Sequence, residues 1–252
     1  MGKTFYEAET PEEAMEIYRK GYDNVYSQLK VGNIRKILCS SIKSWEDLKV
    51  LEVGAGGGIY TDFLLKQGAE VTCVDICEPI LKGNAKAHPE AKYILADATA
   101  VTLKEKFDLI FAIDIIEHIE DDSLFLENMN KHLRKDGLLI INTQNAFSLN
   151  YLIEGTFNFL KGNKNWCGWD PTHVRFYTLK SLKEKLGRTG FKINKWFGNY
   201  HLPYLPYLTR IFEKSWAGKI WHVIEIANLY DKLPFSITGW GIGVTATKVR
   251  DV

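Results

Sequence analysis

Val50-Leu51-Glu52-Val53-Gly54-Ala55-Gly56-Gly57-Gly58-Ile59 is the stretch that decides how this 252-residue chain folds. The apolar run at 49–53 (KVLEV) has the length of a buried strand. Glycines at 54, 56 and 58 let the backbone turn tightly and approach a ligand closely, because no Cβ stands in the way. Residues 59–67 then read as a helix, stopped by Gly68 just past its last turn. Strand, glycine turn and helix in this order open an α/β unit.

Downstream the same alternation continues. Apolar runs at 70–74 (EVTCV), 91–95 (AKYIL), 107–113 (FDLIFAI) and 138–142 (LLIIN) read as further strands. Helices are expected at 78–87 and at 121–135. The second starts on Asp121-Asp122-Ser123 and carries Lys131, Arg134 and Lys135 in its last turns, a charge order that suits the helix dipole. Beyond 146 the rhythm loosens. Residues 161–173 (KGNKNWCGWDPTH) read as a loop, Thr178 caps a helix through Arg188, and strands are expected at 191–198 and 240–249. Strands this apolar, separated by helices, predict a mostly parallel seven-stranded α/β sheet with helices on both faces.

Upstream, Thr10-Pro11-Glu12-Glu13 supplies a cap, a first-turn proline and first-turn acids. Ile17, Tyr18, Tyr22, Val25, Tyr26 and Leu29 follow at helical spacing, and a second helix is expected from Asn33 to Ile42. The chain thus divides into an N-terminal helical cap, 1–46, and a sheet domain, 47–252. Within the latter, 201–236 is expected to be an aromatic helical insertion before the last strand.

Composition limits the partners. Hydrophobic residues are 46%, charged residues 25% and the net charge is +1, so a soluble core forms without general charge-driven affinity for nucleic acid. Cys39, Cys73, Cys77 and Cys167 form no CxxC pair and read as buried free thiols. The start lacks the basic and apolar regions of a secretory signal, and nowhere do 18 apolar residues run together, which makes a cytoplasmic protein the expectation.

The glycine turn fits two phosphate-binding patterns poorly. A dinucleotide GxGxxG beginning at Gly54 needs a small residue at 59 and meets Ile59. A P-loop needs Gly-Lys-Ser/Thr and meets Gly58-Ile59-Tyr60. An acid ahead of the turn, Glu52, would repel phosphate and suits a cationic ligand. Further acids stand at strand ends: Asp75 after the second strand, Asp97 after the third and Asp114 after the fourth. There an open parallel sheet gathers its ligand groups.

This acid-x-Gly-x-Gly-x-Gly turn with its ordered acids resembles the first motifs of class I S-adenosylmethionine-dependent methyltransferases, closely over 48–143 and loosely over 170–249. The resemblance implies a Rossmann-like fold and S-adenosylmethionine as cofactor. It also implies that Glu52, Gly54, Gly56 and Gly58 hold the methionine end, Asp75 the ribose and Asp97 the adenine. Ala55, Ile76, Ala98 and Asp114 would complete the cofactor site.

For the chemistry, Asp114-Ile115-Ile116-Glu117-His118 borders the expected methyl-transfer site. His118 suits a general base at neutral pH, and equally a residue that fixes its loop by hydrogen bonds. Asp170-Pro171-Thr172-His173-Val174-Arg175-Phe176 resembles the His-containing segment of a small-molecule branch that includes ubiquinone-pathway O-methyltransferases and sugar or polysaccharide methyltransferases. On an extended strand His173 and Arg175 would share a face. His173 is a candidate for a catalytic or substrate role, and Arg175 for a structural ion pair. The main reading assigns no metal. As an alternative, Asp114, Glu117, His118 and His173 resemble the Glu-x-x-Glu-His…His pattern of metal-assisted O-methyltransferases, with Asp in place of the first Glu.

The sequence therefore predicts a methyltransferase acting on a small-molecule acceptor, with oxygen favoured over nitrogen and no nucleic acid expected. The aromatic stretch 203–230 reads as a helix packed on the sheet or at a homodimer interface. A substrate lid or a peripheral membrane contact are its alternatives. Two rival functions are a non-catalytic adenosylmethionine-binding partner subunit and an NAD(P)-dependent oxidoreductase.

Overall fold

The structure, a computed structural model, describes residues 4–164, 166, 168, 170–199, 216, 232 and 235–252. Seven strands run in the order β3-β2-β1-β4-β5-β7-β6. They are β1 Lys49–Val53, β2 Glu70–Asp75, β3 Lys92–Leu95, β4 Phe107–Ile113, β5 Leu133–Gln144, β6 Phe191–Gly198 and β7 Gly241–Lys248. The first five are parallel, while β7 lies antiparallel between β5 and β6. Strand order reverses between β1 and β4, so the crevice for a ligand opens at their carboxyl ends.

Helices cover both faces. Helices α5 (Asp122–His132) and α7 (Leu179–Arg188) bury Phe125, Leu126, Met129, Leu182 and Leu186 against Leu51, Ile110 and Ile141. On the other face α2 (Val25–Ser41), α3 (Ile59–Lys66) and α4 (Glu78–Ala87) set Ile34, Leu38, Leu64 and Leu81 against Val50, Phe111 and Phe197. Helix α1 (Pro11–Tyr22) packs Ala14, Met15 and Tyr18 on Ile80 of α4.

Caps explain several boundaries. Thr10 accepts from the Glu13 amide to start α1, and Thr178 forms a capping box with Ser181 to start α7. The N-terminal helical stretch breaks earlier than expected. Asp23 ends α1, and Asn24 accepts from the Ser27 amide to begin α2, so the break falls at 23–24 instead of before Asn33. Helix α5 stops at His132, not 135. Leu133 is extended and pairs with Phe107, placing Arg134 and Lys135 in β5.

Helix α6 (Leu149–Leu160) was not expected. Ser148 caps it, and it leaves Leu152, Ile153, Phe157, Phe159 and Leu160 exposed. Segment 170–177 is a turn followed by extended chain, with a single bridge from Tyr177 to Asn145, not the strand that would align His173 with Arg175. Cys73 and Cys77 are buried, but Cys39 is exposed on α2 because its side of the helix faces away from the sheet. The insertion expected at 201–236 lies largely outside the described residues, and with it the 203–230 interface, lid and membrane alternatives. A four-residue helix, α8 (Phe235–Thr238), leads into β7.

Candidate active site

A cavity of about 720 Å³ opens at the carboxyl ends of the central strands. Its floor comes from Val53, Gly54 and Gly56 after β1, Val74, Asp75 and Ile76 after β2, and Ala96, Asp97, Ala98 and Thr99 after β3. Ile113, Asp114, Ile115 and His118 after β4 continue it, with Gln144 from the end of β5, Asp170, His173 and Trp240 on the far side. Tyr6, Tyr18, Tyr22 and Lys30 of the N-terminal segment wall it from above.

The glycine turn has two distinct jobs. Gly56 has φ +48, its amide donates to Asp75 Oδ2 at 2.9 Å, and a Cβ there would press on the Tyr18 ring at 2.7 Å. Gly58 has φ +86 and starts α3, and a Cβ there would strike the Asn84 side chain. Gly56 thus faces the cavity, whereas Gly58 and the buried Ala55 serve packing and do not line it.

Glu52 does not reach the cavity either. Side chains alternate along a strand, so Glu52 shares Val50's face, where α3 begins. Its Oε2 accepts from Thr61 Oγ1 at 2.7 Å, and Asn84 Nδ2 donates to the same Thr61 oxygen at 3.1 Å. Tyr93 in turn donates to Asn84 Oδ1 at 3.1 Å. Burial pushes the Glu52 carboxyl up to about 8. Glu52 thus anchors a buried polar chain beneath the turn.

The remaining acids do face the cavity. Asp75 accepts from the amides of Gly56 and Cys77, while burial raises its carboxyl against those bonds. Exposed Asp97 holds its own turn by accepting from the Thr99 amide and hydroxyl, each at 2.8 Å. Asp114 sits at φ +55, uncommon for a residue with a side chain. Its Oδ2 pairs with Lys30 of α2, and its Oδ1 is buried without a hydrogen-bond partner.

A clamp also brings two histidines together. Buried Asp122, at the start of α5, pairs with Arg175 at 2.7 Å and with Lys185, and accepts from the Tyr177 hydroxyl at 2.6 Å. The Val174 amide donates to the Glu117 carbonyl at 2.9 Å. Segment 170–177 is thereby fixed against 116–122, with Arg175 in the ion pair expected of it, and the His118 and His173 rings meet edge to face at 4.7 Å.

Glu117 lies buried under this pair, accepting from Thr143 Oγ1 at 2.8 Å. Burial and the nearby Asp114 push its carboxyl up to about 8. Glu117, His118 and His173 offer ligand atoms all within 4.8 Å of one another, close enough to share a cation. His118 Nδ1 lies 2.8 Å from Thr172 Oγ1, which donates to Asp170. Burial works against the Asp170 carboxylate, but the Thr172 hydroxyl and amide outweigh it and hold the group below its usual range.

Of the residues expected at the site, Gly54, Gly56, Asp75, Ile76, Asp97, Ala98, Asp114, His118 and His173 line the one cavity. Glu52, Ala55 and Gly58 stand outside it. Sequence reading missed Lys30, Gln144 and Trp240 there. Lys30 stands 84 residues from its partner Asp114, and no local motif signals such a pairing. Trp240 Nε1 donates to Gln144 Oε1 at 3.1 Å, a contact made only once β7 lies beside β5.

A sheet of this order, with a glycine turn and strand-end acids around a cavity at the switch point, is the frame of a class I S-adenosylmethionine-dependent methyltransferase. The chain belongs to the methyltransferase-domain family, whose model matches residues 28–195. It is 30% identical over 195 residues to the ubiquinone biosynthesis O-methyltransferase of Rhizobium etli, across 71% of this chain and 76% of that protein. In fold it is similar to magnesium protoporphyrin IX methyltransferase from Synechocystis PCC 6803, crystallised with bound SAH (TM-score 0.61, 16% identity, 92% of each chain). It is also similar to an N-methyltransferase from Bradyrhizobium japonicum WM9 in complex with S-adenosyl-L-homocysteine (TM-score 0.59, 13% identity, 90% of each chain).

Proposed function

We propose that this enzyme methylates a hydroxyl oxygen of a small molecule, with His118 as the base that accepts the hydroxyl proton. The observation that carries the proposal is a single cavity lined both by the strand-end acids and by the paired histidines. When bound, S-adenosylmethionine supplies an electrophilic methyl group on a sulfonium. The residues present fit it: the buried, unpartnered Asp114 Oδ1 suits an ammonium group, and Gly56 leaves the backbone open to close approach.

Gly54, Gly56 and Asp114 hold the methionine end, Asp75 and Ile76 the ribose, and Asp97 and Ala98 the adenine. Each carboxylate oxygen of Asp75 accepts one amide and keeps further lone pairs for ribose hydroxyls. The N-terminal cap, residues 1–46, closes over the cofactor through Tyr18 and Tyr22. His118 and His173 face the acceptor. An imidazole is suited to taking the proton as oxygen attacks.

The relatives named for ubiquinone biosynthesis make an aromatic hydroxyl the first acceptor class to test. Purified protein incubated with radiolabelled S-adenosylmethionine and phenolic acceptors is expected to yield labelled ether. Cofactor binding with no transfer to any acceptor would instead favour a non-catalytic partner subunit. Calorimetry against NADH separates the oxidoreductase alternative, which Ile59 disfavours.

The cluster of Glu117, His118 and His173 favours one second reading, a divalent ion that polarises the acceptor oxygen. Under the main reading, chelation leaves the rate unchanged. A loss restored by magnesium or manganese would support the ion.

The proposal places the enzyme in the cytoplasm, with no nucleic-acid acceptor. No helix among the described residues is long and apolar enough to cross a membrane. A peripheral membrane contact through 203–230 belongs to the same proposal, and liposome co-sedimentation reads it. Light scattering reads whether the chain forms a homodimer.

A further inference from the structure

We infer that Asp170 and Thr172 are positioning residues that lock His118 in the tautomer with its proton on Nδ1, leaving Nε2 bare. The inference rests on the reading of His118 as the base and names what prepares it.

Three groups stand in line. Thr172 Oγ1 lies 2.5 Å from Asp170 Oδ1 on one side and 2.8 Å from His118 Nδ1 on the other. The Thr172 amide also donates to Asp170 Oδ1, at 2.8 Å, which fixes the carboxylate beside the hydroxyl.

Proton counting decides the direction. An aspartate at neutral pH is ionised and only accepts. The one hydroxyl proton of Thr172 must therefore lie towards Asp170, since two oxygen lone pairs at 2.5 Å would repel, and this separation is that of a charge-assisted bond. With its proton committed, Thr172 Oγ1 faces His118 as an acceptor. His118 Nδ1 must then carry the hydrogen, and in the neutral ring Nε2 keeps a lone pair.

A carboxylate that fixes an imidazole tautomer is a general device for preparing a base. Here a hydroxyl stands between the two, so the tautomer depends on a side chain in a turn far along the sequence. The Asp122 clamp on Arg175 and Tyr177 holds that turn in place.

The test uses the full chain labelled with 15N-histidine, with imidazole tautomers read by long-range proton–nitrogen NMR above the histidine pKa. His118 is assigned by its loss in H118Q. The wild type is expected to show a protonated Nδ1 and a bare Nε2.

Asp170→Ala is expected to invert this. With its carboxylate acceptor gone, the Thr172 hydroxyl turns to donate to Nδ1 and drives the proton to Nε2. Thr172→Val is expected to lower kcat by about tenfold to a hundredfold, the range for losing a partner that orients a ligand histidine. KM stays within about twofold, because ground-state binding is untouched. Thr172→Ser restores both tautomer and rate.

A wild-type His118 protonated on Nε2 would overturn the inference, as would an unchanged tautomer in D170A. A wild type with bare Nε2 that methylates no hydroxyl acceptor would support the relay and sink the O-methylation reading.

Discussion

Two buried carboxyls set how the fold responds to pH. Burial, the larger cause in each case, lifts Glu52 and Glu117 from an ordinary value of 4.5 to about 8. Between these values the folded chain keeps protons that the unfolded chain gives up, so stability falls as pH rises through this window and levels off above it. Asp122 is shifted the other way, so its contribution is lost only on acidification below 3.8. Denaturant midpoints are expected to decline from about pH 5 to about pH 8, and Glu52→Gln to decline less. An equal decline in both would show that Glu52 is not the group titrating. Within the cavity, His118→Ala is expected to lower kcat about 10²- to 10⁴-fold, with S-adenosylmethionine affinity unchanged by calorimetry. Glu52 also marks a limit of reading residues one at a time. The motif located it beside the glycine turn, but strand alternation turned its carboxylate towards Thr61 and Cys73.

Among the elements, the pieces with strong end signals were legible. Thr178 marked the start of α7, Gly68 the end of α3, and the apolar run 191–198 coincides with β6. Helix α6 was not, because 149–160 (LNYLIEGTFNFL) exposes apolar side chains and presents no clean polar face. Its Ser148 cap was the one local signal available. The pairing of 116–122 with 170–177 was likewise hidden, since it rests on one buried acid gathering three distant partners. Asp122→Ala leaves Arg175 and Lys185 without their counter-charge. Both are about a third exposed, so water offsets part of the loss and the cost is about 2 kcal/mol. Urea unfolding measures this, and the same variant is expected to slow methyl transfer by loosening His173 from His118. A destabilised variant of unchanged kcat would detach the clamp from the site.

For the molecule as a whole, the sequence disclosed part of the cavity lining and left the rest dark. Residues 53–99 supply much of it within one run of alternating strands and helices. His118, Gln144, Asp170, His173 and Trp240 reach the same cavity only through the folded sheet. Lys30 shows what the cap adds: it brings a cation to Asp114, beside the place proposed for the cationic cofactor. Lys30→Met is expected to raise the affinity for S-adenosylmethionine relative to S-adenosylhomocysteine, which lacks the sulfonium charge, by about twofold to tenfold, through lost charge repulsion. Calorimetry with both ligands reads the ratio, and an unchanged ratio would remove Lys30 from cofactor selection.

That cap has a further consequence for how the molecule is made. Ile34, Ile37 and Leu38 of α2 share a buried cluster with Phe197, Asn33 donates to the Asn199 carbonyl, and Tyr26 lies 6.5 Å from Trp240. The ribosome delivers α2 early, and Val50 and Phe111 soon offer it part of a seat, but Phe197, Asn199 and Trp240 emerge much later. The seat of α2 is therefore half built through most of synthesis and is completed only once β6 and β7 have joined the sheet.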